Sequence, residues 1–237
     1  MDCKASSRTT YTPRRHGAGN PMNTRINSPA TLRKASKYLT TADPAMAALI
    51  ARIGPCRLQV QQDSDLFLSL ARSIIFQQLH GKAAETIYQR TCALFPRSEQ
   101  FTAKDIKRAT EEKLRSAGLS RNKQLALRDL AAKVLDGSLP AMEDLHDLDN
   151  EDIITTLTTV RGIGRWTVEM LLMFRLGRPD VLPVDDLGVR KGFMLMQGHS
   201  DMPTPKALKL HGEIWAPYRT VASWYLWRAT DTFTTAD

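Results

Sequence analysis

Asp149-Asn150-Glu151-Asp152-Ile153-Ile154-Thr155-Thr156-Leu157-Thr158-Thr159-Val160-Arg161-Gly162-Ile163-Gly164-Arg165-Trp166-Thr167-Val168 reads as a helix, a short turn and a second helix. Ile153, Ile154, Leu157 and Val160 recur at the three- and four-residue spacing of one helical face, and Val168, Leu171, Leu172 and Phe174 repeat it beyond the turn. Asp149 or Asn150 suits the first helix start, with acids in its first turn. Two glycines flank one isoleucine. The glycines permit unusual backbone angles and a close approach of another chain, while Ile163 can tuck inward and lock the two helices together. The amides from Gly162 to Arg165 then open the second helix, where N–H groups and the helix dipole attract a phosphate.

A bare Gly-Ile-Gly is compatible with a connector that binds nothing. The wider pattern, with Leu157 and Val160 before it and Arg165, Trp166 and Thr167 after it, resembles the helix–hairpin–helix DNA-binding motif. That resemblance implies DNA contacts at Gly162, Ile163, Gly164, Arg165 and Thr167. It also implies a structural monovalent cation on the backbone carbonyls of Thr158, Val160 and Ile163.

The same helical period runs outward in both directions. Leu66, Leu70, Ile74, Ile75 and Leu79 form one such face, and Gly and Pro punctuate the chain between helical segments. Val181-Leu182-Pro183-Val184 is strand-like, but its proline argues against a central strand. The expected class is all-α, with about ten short helices. The chain has 237 residues, a length suited to one domain or two intimate lobes.

Composition narrows the function. No apolar stretch reaches the length of a membrane span, and the first 29 residues lack the apolar core of a secretory signal. Cys3, Cys56 and Cys92 lie far apart, which excludes a disulfide framework, a four-cysteine zinc site and a cysteine-bound iron–sulfur cluster. A reducing compartment fits best. The net charge is +8, which suggests a polyanionic partner. Most of that excess is local: residues 1–37 carry +7 and the remaining 200 residues only +1. A folded part that binds nucleic acid must therefore use local features. Residues 1–29 are expected to be a disordered basic tail, with a nuclear address, a mitochondrial address and a nonspecific DNA tether as its alternative uses.

Downstream of the hairpin come an apolar helix, a Gly/Pro-rich linker and Pro183-Val184-Asp185-Asp186-Leu187-Gly188-Val189-Arg190. With Arg165-Trp166-Thr167, and with the earlier segments from Ile74 to Ala84 and from Leu114 to Lys123, this resembles the DNA-3-methyladenine glycosylase II family of the helix–hairpin–helix superfamily. The match runs from about Phe67 to Trp227 and is to the short form, without an N-terminal β domain. It implies a two-lobed helical fold with a central cleft. One lobe would span about residues 73–177, and the other about 30–72 plus 181–237.

The implied activity is hydrolysis of the N-glycosidic bond of alkylated purines, such as 3-methyladenine and 7-methylguanine, in duplex DNA by base flipping. The implied catalytic residue is Asp186, with Asp185 as the alternative; a helix N-cap is the structural role open to either. Breaking a sugar–base bond builds positive charge on the sugar, and a fixed carboxylate stabilises it. An alkylated purine is already cationic and leaves without a strong general acid.

Relatives that also cut the strand carry a lysine two residues after the second hairpin glycine. Here that position is Trp166, which implies an enzyme that leaves an abasic site. Trp227 matches the family's stacking tryptophan, whose electron-rich face favours a cationic base. Trp166 and Met170 would complete the base pocket; some members have tyrosine where this chain has Met170. Trp215 and Trp224 are expected in the core.

Gln77, Gln78, Leu79 and His80 lie where the family wedges side chains into the minor groove, with Gln78 and His80 as the favoured DNA-facing pair. Lys123 would contact a phosphate. No cofactor is expected beyond the hairpin cation. The expected partner is duplex DNA bound by a monomer, with no membrane. The expected location is the nucleus of a eukaryote, with a mitochondrial address as alternative, or otherwise the cytoplasm. The rival readings are another damaged-base specificity on the same scaffold and a noncatalytic DNA-binding protein; Asp186 and Trp227 together argue against the second.

Overall fold

A computed structural model describes residues 25–26, 28–61, 65–96 and 100–234. The tail expected over residues 1–29 lies mostly outside the described residues. Its expected end at residue 29 needs correction, because Ile26 is buried at 2% exposure and its N–H donates to the Gly177 carbonyl at 2.8 Å. Ser28 then caps the first helix.

The described residues contain α-helices and 3-10 turns but no strand. In order the helices are α1 (Pro29–Ala42), α2 (Pro44–Ile53), α3 (Leu66–Phe76), α4 (Gly81–Ala93), α5 (Ala103–Arg108), α6 (Glu111–Ser116) and α7 (Arg121–Leu135). There follow α8 (Asn150–Leu157), α9 (Arg165–Phe174), α10 (Leu187–Gln197), α11 (Pro205–His211) and α12 (Arg219–Thr234). Among the described residues no helix is long and apolar enough to cross a membrane.

The chain divides into two units. Among the described residues, one comprises 65–168 and the other 25–61 and 169–234. The expected lobe boundaries shift on both sides. All of α3 belongs to the first unit, because its buried Phe67, Leu70, Ile74 and Ile75 serve that unit's core, where α3 packs on α4 and α7. The second half of α9 belongs to the second unit, a division that a continuous helical pattern does not reveal.

Short polar side chains start several helices of the first unit, although neither His80 at α4 nor Asp149 at α8 makes a side-chain cap bond. Asp65 Oδ1 accepts the Leu68 N–H at 3.0 Å to begin α3, and Thr102 with Asp105 forms a capping box at α5. Inside, Tyr88 and Phe101 meet edge to face at 5.9 Å, as do Phe67 and Phe101. Ile153, Leu157, Val160, Ile163 and Val168 are all buried, so the hairpin is anchored by its apolar residues.

In the second unit α10 and α12 pack against each other, and α1 and α2 close over α12. Gly192 lets α10 and α12 approach closely: a Cβ there would lie 1.9 Å from the Leu226 carbonyl oxygen. Asp43, 3% exposed, caps α2 and also accepts from His211 Nε2 at 3.0 Å and Trp215 Nε1 at 2.9 Å. Burial opposes its charge, but these bonds and two backbone amides outweigh that and hold the carboxyl below its usual range. Trp215 is thus a core residue, as expected.

The strand-like segment beginning at Val181 forms no ladder, and Val184 already lies in a turn. Its first residue is tied to α12 instead. The Val181 N–H donates to Thr220 Oγ1, and the Thr220 hydroxyl donates to the Arg178 carbonyl. Beside it Asp180 and Arg219 make a two-pronged ion pair at 2.6 and 2.7 Å.

Candidate functional site

The hairpin lies wholly in the first unit and is held by two elements, α7 and the end of α3. Gly162 has φ of +79°, and a Cβ there would sit 3.4 Å from the Ala126 side chain on α7. This is the conformation for which glycine is needed. Also from α7, Asp129 Oδ2 accepts the Arg161 N–H at 2.8 Å. From the end of α3, the Gln77 side-chain amide donates to the Gly162 carbonyl at 2.8 Å. Within the turn the Ile163 N–H donates to the Val160 carbonyl at 3.1 Å, which occupies one lone pair of an expected cation ligand. Among the described residues no group of three or more His, Cys, Asp or Glu could hold a metal ion.

Gly164 has open space around its α-carbon, and Arg165 and Trp166 are exposed, Trp166 at 48%. The Arg165 guanidinium forks onto the Glu151 carboxylate. Both side chains are well exposed, so this pair contributes little and can be exchanged for a phosphate at small cost. Thr167 corrects the sequence reading: at 7% exposure its side chain faces the interior with Val168. Position 167 lies on the inward face of α9.

The proposed wedge follows α3. Gln77 is partly buried and committed to the hairpin carbonyl, while Gln78, Leu79 and His80 are exposed. Gln78 has φ of +57°, an uncommon conformation for a residue with a side chain. His80 occupies the N-cap position of α4, yet its side chain makes no cap bond. The tip is therefore turned outward by backbone geometry and fixed at its base by Gln77.

Lys123 belongs to the same support. Its ammonium donates to the Ile75 carbonyl at 2.5 Å, near the C-terminus of α3, and burial pulls its pKa down. Replacement by methionine is expected to lower stability by about 1 kcal/mol. The salt dependence of DNA binding should stay nearly unchanged. A slope reduced by one phosphate contact, without loss of stability, would restore Lys123 to the DNA surface.

In the second unit Asp186 is the N-cap of α10. Its Oδ1 accepts the Val189 N–H at 2.8 Å and the Trp227 indole N–H at 2.9 Å. The Trp227 ring, on α12, lies over Phe174 with centroids 5.8 Å apart and planes 29° apart. Met170 is partly buried, and Asp185 is exposed. Asp186 thus takes the structural role open to it: it caps the helix, and the cap fixes its carboxylate. Sequence spacing gave no sign of Asp129 or Phe174, which reach the site elements from other helices.

The sequence profile of the HhH-GPD superfamily of base excision DNA repair proteins matches residues 71–217. DNA-3-methyladenine glycosylase 1 of Schizosaccharomyces pombe is 36% identical over 201 residues, covering 84% of this chain and 88% of that one. The structure of the 3-methyladenine DNA glycosylase of that yeast in complex with abasic DNA superposes with a TM-score of 0.75, covering 84% of this chain and 97% of that one. A DNA-3-methyladenine glycosidase from Bacillus halodurans, 35% identical, gives a TM-score of 0.78 over 90% of this chain and 94% of that one.

Proposed function

The chain belongs to the HhH-GPD superfamily of base excision DNA repair proteins, and we infer that it is a DNA-3-methyladenine glycosylase that excises alkylated bases from DNA. The observation that carries this reading is the carboxylate of Asp186, held by the α10 amide of Val189 and by the Trp227 indole. A carboxylate restrained in this way can face the positive charge that grows on the deoxyribose as the base departs, without reorganising during the reaction. It can also orient or deprotonate the attacking water.

The remaining residues take supporting roles. The exposed amides and Arg165 at the hairpin suit a phosphate, which holds the duplex in register without reading its sequence. A monovalent cation on the carbonyls of Thr158, Val160 and Ile163 fits the same role, and no chemical step runs through it. Gln78, Leu79 and His80 would fill the gap left by the flipped nucleotide. The electron-rich ring of Trp227 favours a cationic, methylated purine over a normal one. The test is base release from methylated duplex DNA, resolved by base: 3-methyladenine and 7-methylguanine should appear. Release of normal bases alone, or of none, would refute the reading.

Strand cleavage should be absent. Lyase chemistry needs an amine against the sugar carbon, and at the matching position Trp166 offers only an indole N–H, which is not nucleophilic. Arg161 and Arg165 carry guanidinium groups, which supply no nucleophilic amine. Lys191 lies five residues beyond Asp186, more than one helical turn along α10. Borohydride should therefore trap no protein–DNA adduct, and the backbone should break only after alkali or heat. A trapped adduct that vanishes in Lys191→Ala would make the enzyme bifunctional.

A further inference from the structure

Gly188 is the second residue of α10, and its backbone lies outside the left-handed region, so conformation does not call for glycine. Alanine would favour the helix there. The surroundings supply the reason for glycine. A Cβ at position 188 would lie 2.9 Å from Trp227 Cδ1, 3.2 Å from Trp227 Nε1 and 3.1 Å from Asp186 Oδ1. The first distance is well inside van der Waals contact between carbons. Two of these atoms belong to the indole whose N–H reaches Asp186 Oδ1 at 2.9 Å, and the third is that oxygen itself. That ring is backed by Phe174 at 5.8 Å, and a rigid two-ring side chain has few ways to yield.

We propose that Gly188 and Trp227 are positioning residues for Asp186: the indole N–H fixes the orientation of the carboxylate, and the missing side chain at 188 admits the indole. Trp227 thereby has a role beyond stacking on a base. Its N–H and the Val189 amide converge on the same oxygen, Oδ1, so two donors from different helices set the plane of one carboxylate. Gly192, one turn further along α10, differs in kind. There the obstacle is the Leu226 backbone, and the consequence is helix packing rather than the geometry of the acid.

The proposal rests on Asp186 as the catalytic carboxylate, and the experiment separates the two. Single-turnover base release at saturating methylated duplex, and affinity for duplex carrying an abasic site, are measured for Gly188→Ala, Trp227→Phe, the double variant and Asp186→Asn. Thermal unfolding accompanies each. Trp227→Phe keeps an aromatic face, removes the N–H and adds no atom. Gly188→Ala and Trp227→Phe should each slow release about 10- to 100-fold, the scale expected when a reacting group is misplaced by an ångström. Affinity for abasic DNA should be little changed. The double variant should be no slower than Trp227→Phe alone, because the Cβ acts by displacing a bond already lost.

Multiplying losses, or losses matched by weaker DNA binding, would overturn the proposal. So would a wild-type rate in Trp227→Phe, which decides the matter even if Gly188→Ala fails to fold. An inactive Asp186→Asn beside fully active Gly188→Ala and Trp227→Phe would remove this inference alone. An active Asp186→Asn would remove the catalytic assignment beneath it.

Discussion

Asp186→Asn is expected to slow base release by about 10²–10³-fold or more while binding methylated duplex at least as tightly as the native protein. Asparagine has nearly the same shape and is an equally good N-cap, so the bond from the Val189 amide survives and α10 should start as before. Its carbonyl oxygen can still accept the Trp227 N–H. What disappears is the negative charge that meets the developing positive charge on the sugar. Removing a negative charge near phosphates can only assist binding. Asp185 is exposed one residue earlier, and Asp185→Asn should change release far less. Single-turnover release and a binding titration on the same duplex check both variants. An inactive Asp185→Asn beside an active Asp186→Asn would exchange the two assignments.

Gly192→Ala is expected to cause the largest loss of stability among single substitutions in α10. The added carbon would sit 1.9 Å from the Leu226 carbonyl oxygen and 2.5 Å from its carbonyl carbon. Backbone cannot rotate aside as a side chain can, so α10 and α12 must separate. Around that contact Val189, Phe193, Val221, Ala222, Tyr225 and Leu226 are buried in one core and would lose packing together. Overpacking of this kind costs about 3 kcal/mol or more. The gain in helix propensity from alanine, about 1 kcal/mol, does not offset it. A domain's total stability is only about 5–15 kcal/mol, so the urea midpoint should fall sharply. An unchanged midpoint would show that the helices have room to part.

The reading of the hairpin illustrates what local pattern can carry. Its apolar period, its two glycines and the arginine after them all lie within a few residues of one another, and the buried Val160 and Ile163 and the +79° φ of Gly162 follow from them. The capping role of Asp186 was legible for the same reason, since a cap bonds the amide three residues ahead. Thr167 went wrong because a motif match does not say which side of a helix faces the core.

Other features depend on partners far away in the chain. Gln77 reaches Gly162 across 85 residues, Lys123 reaches Ile75 across 48, Asp129 reaches Arg161 across 32, and Trp227 reaches Asp186 across 41. No spacing rule links such pairs, because the chain between them sets their approach only through the way its helices pack.

The amino-acid sequence by itself determined the helical class, the hairpin and the aspartate that opens α10, because each rests on hydrogen bonds and side-chain periods a few residues long. Tertiary structure decided that Gln77 binds the hairpin carbonyl and Lys123 the end of α3, and that Gly188 makes room for Trp227 to hold Asp186. Those roles exist only once separate helices are packed to within van der Waals contact, where one carbon more or less determines which bonds can form.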